Sequence, residues 1–290
     1  MSSRPALLII LLFSILVFGL GSCDLINPDE KIPGFICIDS ISLNPGNGRG
    51  TDMHNIVDAW VYDNEQLVGV YELPAVVPIL TTGDANIRIR GGIKVNGQAA
   101  SRLALPFFED YVGSVEIFED STICINPTLT FKSSVTTPWV EDFEVASQIS
   151  LSSTDLSQEN VAIVSGAEAF DGKSAKLSLP AGQDIFECKS NGSFDLPSAG
   201  ATVILEFSYK CNHPFVVSLF SGNSGGTVQT PILLVSESAE WNHIYVSLTQ
   251  TVSTIFSANE HEPAFGFVRN DGMDGEINVY LDNIRLTHFE

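Results

Sequence analysis

Short hydrophobic segments rich in β-branched and aromatic residues recur along most of the chain, and Gly, Pro, Asn and Asp separate them. Such segments are typical of β-strands, whereas the three-to-four-residue apolar repeat of an amphipathic helix is nearly absent after residue 23. The pattern therefore predicts an all-β protein. The predicted strands are residues 36–43, 56–62, 67–73, 86–90, 112–118 and 123–131, followed by 161–164, 175–179, 202–210, 215–220, 232–235, 243–248, 265–269 and 277–286.

Turn sequences between these segments predict how some neighbouring strands connect. The polar residues 63–66 lie between two apolar segments, and Asn96-Gly97 and Asn191-Gly192 are dipeptides that two-residue hairpin turns favour. We expect a hairpin at each of these three positions.

The spacing of strands divides the chain into two predicted domains. Residues 35–132 contain about seven predicted strands, the number of a small β-sandwich, and residues 139–290 contain roughly eight, the scale of a jelly roll. Residues 133–138 between them are small and polar and end in proline, which predicts a linker.

One longer apolar run, residues 6–20, follows Arg4 near the N-terminus. It is shorter than the about 20 residues of a membrane-spanning helix and suits the core of a signal peptide. Its end, Leu20-Gly21-Ser22-Cys23, resembles the lipobox of bacterial lipoproteins. The resemblance implies that residues 1–22 are a signal peptide, that Cys23 carries a lipid such as palmitate, and that residues 23–34 form a lipidated tether. The alternative is an ordinary secretory signal in which Cys23 is incidental.

The charge of the chain is strongly negative. It contains 14 Lys and Arg against 35 Asp and Glu, which gives a formal net charge of −21. Such a surface repels a phosphate backbone, so we exclude nucleic acid as a partner. The hydrophobic content of 44% indicates a packed core rather than a disordered chain.

Four cysteines follow Cys23: Cys37, Cys124, Cys188 and Cys211. Outside the cytoplasm they could pair, and four cysteines allow three connectivities. Pairing within the predicted domains would join Cys37 to Cys124 and Cys188 to Cys211. Buried free thiols are the alternative.

Residues 139–290 resemble carbohydrate-binding modules of the jelly-roll type with a galactose-binding-like fold. The features that carry the resemblance, in order, are Asp142-Phe143-Glu144, the segment 169–175 (Ala-Phe-Asp-Gly-Lys-Ser-Ala), Trp241, and the segment 279–286 (Val-Tyr-Leu-Asp-Asn-Ile-Arg-Leu). The resemblance implies a C-terminal jelly-roll β-sandwich.

Many such jelly rolls hold a structural calcium ion between an acidic residue of the first strand and an aspartate of the last. The matching positions are Glu144 and Asp282, with Asp142 and Asp171 as further candidate ligands. Carboxylates are suitable ligands because calcium prefers six to eight oxygens. The alternative is that Asp282 caps a turn and Glu144 is solvated.

The N-terminal segment 60–74 is similar to PEGA-like and carboxypeptidase-regulatory-like domains. The resemblance implies an immunoglobulin-like or transthyretin-like β-sandwich for residues 35–132.

Sugar-binding jelly rolls stack aromatic side chains on sugar rings, so the aromatic residues of the C-terminal domain are candidates for ligand contacts. The same residue types are typical of β-sandwich cores, and the sequence alone assigns none of them to a binding face. The candidates are Trp139, Tyr209, Phe215, Trp241 and Tyr245.

No pattern in the sequence indicates catalysis. The five histidines are scattered, and no His-Glu-x-x-His motif occurs. We therefore predict a non-catalytic lipoprotein of the cell envelope that binds a glycan or another ligand, anchored in the outer membrane rather than the inner membrane. The alternative is a structural or assembly subunit of an outer-membrane complex, and a hydrolase with an unrecognised site is a third hypothesis.

Overall fold

The computed structural model describes residues 30–145, 149–223, 225–255, 257–270, 272 and 274–290. The predicted signal peptide and Cys23 lie outside these residues, as do residues 24–29 of the predicted tether. Within the described residues, no helix has both the length and the apolar character needed to cross a membrane. Nearly all regular structure there is β, as the sequence predicts, with a 3₁₀ turn at Gly166–Glu168 and a short helix α1 (Thr249–Thr254).

The N-terminal domain is a β-sandwich of ten strands. They are β1 (Gly34–Ile38), β2 (Ser42–Asn44), β3 (Asp58–Asp63), β4 (Gln66–Glu72), β5 (Ala75–Ile79), β6 (Gly83–Lys94), β7 (Arg102–Ala104), β8 (Tyr111–Ile117), β9 (Thr122–Cys124) and β10 (Thr128–Thr130). Strands β4, β3 and β6 form a sheet whose far edge is shared by β7 and β8, and the small sheets β5-β1-β9 and β10-β2 complete the sandwich. Buried aliphatic side chains such as Ile36, Leu43 and Ile87 from these sheets form one core.

The predicted strand 36–43 is wrong, because this segment forms two strands in different sheets. Asn126 breaks the run: its side-chain oxygen accepts hydrogen bonds from the backbone N–H groups of Asp39 (3.0 Å) and Ser40 (3.4 Å). These two residues therefore leave the ladder of β1, and the chain resumes in β2 beside β10.

A disulfide joins Cys37 and Cys124, which face each other on the parallel pair β1 and β9. Cys188 and Cys211 are buried free cysteines in the C-terminal domain.

The C-terminal domain contains eleven strands. They are β11 (Val135–Glu141), β12 (Leu151–Ser153), β13 (Ala162–Ser165), β14 (Lys173–Leu179), β15 (Ile185–Ser190), β16 (Val203–Cys211), β17 (Phe215–Asn223), β18 (Gly226–Val235), β19 (Ser238–Ser247), β20 (Glu260–Val268) and β21 (Ile277–Phe289).

The strand order is that of a jelly roll, which confirms the predicted fold. Strands β13, β14, β21, β16 and β19 form one sheet, and β12, β15, β20, β17 and β18 form the other, with β11 also paired to β21. Within them β14 pairs with β21, β15 with β20, β16 with β19 and β17 with β18, so the chain from β14 to β21 folds back on itself in nested pairs. Phe207, Phe215 and Phe265 are fully buried between the sheets.

Two of the three predicted hairpins are confirmed. Asn64 and Glu65 connect β3 to β4 directly, whereas Asn96 and Gly97 form a turn within the longer loop 95–101 between β6 and β7. All four residues have φ between 46° and 68°, the left-handed conformation that such turns require. The hairpin at Asn191-Gly192 is wrong, because the strand before it, β15, pairs with β12 and β20 and not with the strand that follows.

The domains meet without a free linker at the position predicted for one. Of the predicted linker, residues 133–138, all from Val135 onward lie in β11, which pairs with β21. Val135 is itself buried in the N-terminal core, as is Tyr245 of β19. The two sandwiches therefore share a packed interface.

Candidate functional site

The four predicted calcium ligands come together around one cavity of about 360 Å³, here called the acidic cavity. Glu144 and Asp142 follow β11, Asp171 precedes β14, and Asp282 lies in β21. The N-terminal domain contributes a fifth carboxylate, Asp52, from the loop between β2 and β3. The other lining residues are Thr51, Met53, Phe170, Gly172 and Asn283.

Hydrogen bonds within the protein already engage the two principal carboxylates of the acidic cavity. An oxygen of Glu144 accepts the backbone N–H of Lys173 at 2.7 Å. Asp282 accepts the Ser174 hydroxyl at 2.6 Å and the Asn283 backbone N–H at 2.7 Å. Gly172 has φ of +56°, and a side chain there would collide with the Glu144 carboxylate, so the turn requires glycine.

Burial raises the pKa of Asp282 to about 6, with a smaller contribution from the charges of Glu144 and Asp142 and against the opposing effect of its two hydrogen bonds. The donor set is of the type that calcium prefers. The arrangement does not yet form a metal site, since among the described residues no three His, Cys, Asp or Glu side chains are grouped closely enough to hold an ion.

An aromatic cluster of Phe170, Trp241 and Tyr280 adjoins the acidic cavity on the outer face of the sheet β13-β14-β21-β16-β19. The Trp241 ring lies edge-on to Phe170 (5.4 Å between centroids) and to Tyr280 (6.3 Å). The Lys210 ammonium lies 5.3 Å from the Trp241 ring centre and 4.7 Å from that of Tyr280. The half-exposed rings therefore contact one another and the Lys210 ammonium.

Glu168 lies at the edge of the aromatic cluster and accepts hydrogen bonds from two side chains there. Its carboxylate accepts the Tyr280 hydroxyl at 2.8 Å and the Lys176 ammonium at 3.2 Å. These bonds lower the pKa of Glu168. The polar and aromatic side chains of the cluster therefore bond mainly to one another.

The N-terminal domain covers the other end of this sheet. Arg285 of β21 donates to the backbone carbonyls of Arg49 (2.9 Å), Thr51 (3.2 Å) and Met53 (3.1 Å), all in the β2–β3 loop. Arg285 also pairs with buried Glu206. These bonds fix the loop on the sheet.

The buried charge of Glu206 is compensated from two sides. Burial alone would raise its pKa, but Arg285 and His243, the latter at 3.3 Å, offset this and leave the pKa lowered. Ser208 bonds the other ring nitrogen of His243 at 3.0 Å. The network lies between the domains, because Asn55 of the N-terminal loop donates to the His243 carbonyl at 2.8 Å.

The sheet β12-β15-β20-β17-β18 carries a groove of about 240 Å³ on its outer face, here called the trough. Its lining residues are Ile185, Phe186, Glu187, Val216, Ser218, Gln229, Pro231, Gly266, Phe267 and Val268. Small residues form its floor. On the paired strands β17 and β20, Ser218 lies opposite Ala264 and Gly266 lies opposite Val216, and all of these positions face outward.

A hydrogen bond across the trough shows that this sheet is concave. Gln229 of β18 donates to Glu187 of β15 at 2.5 Å, although β20 and β17 lie between these strands. A flat sheet would hold strands three places apart at a distance of about 14 Å. The sheet therefore bends until the two side chains meet above its small-residue floor.

Polar and aromatic side chains lie next to the trough on the same outer face of the sheet. Lys189 and Glu262 form an ion pair at 2.8 Å, and the Lys189 ammonium lies 5.4 Å from the Phe220 ring centre. Thr154 donates to the second oxygen of Glu187 at 3.0 Å. The face thus combines apolar walls with groups that can donate or accept hydrogen bonds.

The aromatic candidates of the sequence do not form the trough. Trp139, Phe215 and Tyr245 are buried, and Tyr209 packs against the core. Trp241 belongs to the aromatic cluster on the opposite sheet. Glu187 and Gln229 are not among the residues that the sequence singles out, because the sequence pattern does not predict β15 and Gln229 is an ordinary polar residue of the edge strand β18.

Comparisons with known proteins find similarity at the level of structure only. No family model matches the sequence, and no curated protein matches it. A family 30 carbohydrate-binding module has a TM-score of 0.39 at 13% identity, over 53% of this chain and 98% of that chain. The family 11 carbohydrate-binding module of the cellulosomal cellulase Lic26A-Cel5E of Clostridium thermocellum has a TM-score of 0.34 at 15% identity, over 53% and 95%.

The enzymatically active domain of tailspike protein 4 of bacteriophage CBA120 gives a TM-score of 0.35 at 16% identity, over 54% of this chain. The match spans only 20% of the tailspike chain. These scores are too low to establish a common fold. The jelly roll is therefore assigned from the strand order described above.

Proposed function

We propose that this protein is a non-catalytic, lipid-anchored protein of the cell envelope that binds a glycan in the trough of its jelly roll. One observation carries the proposal: of the two sheets, one is covered by the N-terminal domain and the aromatic cluster, and the other presents a concave face that combines apolar walls with polar groups. A groove of this composition is typical of a ligand site.

The chemistry of the trough suits a sugar chain. A sugar ring has apolar C–H faces and a rim of hydroxyls, so it needs aliphatic or aromatic contact beside hydrogen-bonding groups. Val216, Val268 and Phe220 can supply the first, and Glu187 and Ser218 the second. The small floor lets a ring approach the sheet closely.

A glycan array with the mature protein tests the proposal. Ser218→Leu fills the floor of the trough, so we expect it to abolish binding of any glycan that the wild-type protein retains. Ser236→Leu makes the same change at an exposed position outside the trough and is the matched control. Retained binding by a folded Ser218→Leu protein would place the site elsewhere, and shortening of the bound glycan would contradict the non-catalytic assignment.

The envelope location is supported by the lipobox-like Leu20-Gly21-Ser22-Cys23 and the apolar run before it. A lipid on Cys23 would hold the two sandwiches at a membrane surface on a short tether, and we favour the outer membrane. Labelled palmitate should enter the wild-type protein and not Cys23→Ser, and only the wild type should fractionate with membranes. A membrane-bound Cys23→Ser protein would refute the anchor.

An assembly role is the second candidate, and a surface of the N-terminal domain favours it. Strands β4 and β5 are sheet edges that flank a groove of about 490 Å³. Leu67 and Leu80 in this groove are 51% and 57% exposed. A silent glycan array together with loss of envelope cross-links in Leu80→Asp would favour assembly over glycan binding.

We also propose the acidic cavity as the place where calcium would bind, with Glu144 and Asp282 as principal ligands and Asp142 and Asp171 as helpers. The support is that all four carboxylates line one cavity. Binding would require their side chains to move closer together. The melting temperature of the mature protein should then rise with calcium and fall with a chelator, and an identical value in both would refute the proposal.

A further inference from the structure

Glu187 is a buried carboxylate of the trough that the surrounding residues hold in position. Only 6% of its surface is exposed, and it lies among the aliphatic side chains of the walls. Ser157 fixes its backbone on both sides, accepting the Glu187 N–H at 2.6 Å and donating to its carbonyl at 2.7 Å. The side chain is therefore held in one place by the fold.

Both carboxylate oxygens of Glu187 act as acceptors. One accepts the amide of Gln229 at 2.5 Å and the other accepts the hydroxyl of Thr154 at 3.0 Å. A carboxylate has about four acceptor positions, so each oxygen keeps capacity for another donor. Thr154 lies beside Glu187 on the β12–β15 side, whereas Gln229 reaches it from the far edge of the sheet.

A ligand could replace Gln229, but not Thr154, as a hydrogen-bond donor to Glu187. It is exposed on the edge strand β18, and its side chain crosses above the floor of the trough to reach Glu187. A ligand lying on the floor would occupy the space below this bridge. A ligand hydroxyl could then take the position of the Gln229 amide at little cost, because the amide would exchange its bond to Glu187 for one to water.

The charges on this face disfavour an acidic ligand. The cation near the trough, Lys189, is already paired with Glu262 at 2.8 Å. Glu187 is bonded to two uncharged donors, so it leaves the trough with a net negative charge in a protein whose formal charge is −21. A carboxylated sugar would therefore meet repulsion at the group best placed to recognise its hydroxyls.

We infer that Glu187 determines which ligands the trough accepts. Its carboxylate accepts hydrogen bonds from the hydroxyls of an uncharged glycan in place of the hydrogen bond from the Gln229 amide, and it repels glycans that carry carboxylates. The inference rests on the proposed function, since it names the ligand class of the same site.

The test compares Glu187→Gln and Gln229→Ala on a panel of neutral polysaccharides and polyuronates. Hydrogen bonds to a charged acceptor are stronger than those to a neutral one, so Glu187→Gln should weaken neutral-glycan binding by at least about tenfold and reduce the discrimination against polyuronates. Gln229→Ala removes the competing donor and should tighten neutral-glycan binding. Glu240→Gln, an equal charge change at an exposed position of the other sheet, is the control and should change neither.

The outcomes separate this inference from the function on which it rests. If the wild-type protein binds nothing on the panel, both are overturned. If it binds and Glu187→Gln binds equally well, or if Gln229→Ala weakens binding as much as Glu187→Gln, the role of Glu187 is overturned and the glycan site stands. Melting curves of each variant confirm that a loss of binding is not a loss of fold.

Discussion

The two outer faces of the jelly roll differ in what lies on them. On the sheet β13-β14-β21-β16-β19, the N-terminal loop is bonded to Arg285, and Trp241 and Tyr280 contact each other and Lys210. On the sheet β12-β15-β20-β17-β18, the outward side chains of the trough are small or aliphatic, and the bridge between Gln229 and Glu187 spans them. We call these the covered face and the open face.

The difference predicts that stability depends on one sheet and the proposed binding on the other. The covered face contains a buried ion pair, aromatic contacts and the domain interface, so changes there should affect the free energy of unfolding. The hydrogen-bonding groups of the open face, such as Glu187 and Gln229, line the trough, so changes there should affect ligand affinity.

The largest effect is expected at Arg285 on the covered face. Arg285→Met leaves Glu206 buried without its main counter-charge and leaves three carbonyls of the N-terminal loop without their donor. Removing one partner of a buried ion pair costs about 3–5 kcal/mol, and we expect that loss in urea unfolding. The double variant Glu206→Gln/Arg285→Met should recover part of it. A loss below about 1 kcal/mol would mean that the loop does not depend on this pair.

The aromatic cluster should contribute to stability and not to binding. Trp241→Ala removes a half-buried indole from its contacts with Phe170 and Tyr280, and we expect a loss of about 2 kcal/mol, less than for a fully buried tryptophan. Glycan affinity should be unchanged. If the variant folds normally and loses glycan binding, the assignment of the two faces must be reversed.

Asp282 should make stability depend on pH. Its pKa is raised from 3.8 to about 6 in the folded protein, so the folded state binds the proton more tightly than the unfolded chain. The free energy of unfolding should therefore fall as pH rises from about 4 to about 6 and level off above that.

The variant Asp282→Asn removes this titration. In calcium-free buffer at pH 7.5 we expect it to be more stable than the wild type by roughly 1–3 kcal/mol, the upper limit being the full shift in pKa. If calcium binds in the acidic cavity, the same variant should be less stable than the wild type when calcium is added. A stabilised variant in both buffers would exclude Asp282 as a calcium ligand.

Local sequence patterns predicted the parts of the fold that depend on neighbouring residues. The turn at Asn96-Gly97 could be identified because a type I′ turn needs two positive φ angles, which Asn and Gly tolerate. The four acidic residues were found through a family resemblance, and the structure places them around one cavity. The position of these carboxylates follows from the first and last strands of the domain, which lie side by side.

Features that depend on distant residues could not be predicted. Glu187 and Gln229 are 42 positions apart and meet only because the sheet bends. Arg285 finds its acceptors 232 to 236 positions earlier in the chain, in a loop whose sequence gives no sign of a domain contact. Glu187 lies on β15, a strand that the hydrophobic pattern does not predict.

The smallest stability effect is expected on the open face. Val268 lies in the trough and is 55% exposed, whereas Val279 on the strand β21 is fully buried in the core of the same domain. The isosteric change Val268→Thr should alter the free energy of unfolding by no more than about 0.5 kcal/mol, because its hydroxyl stays in water. Val279→Thr buries the same hydroxyl and should cost about 1–3 kcal/mol. Equal losses for the two variants would show that the open face is packed against something in solution, and the trough would then not be accessible to a glycan.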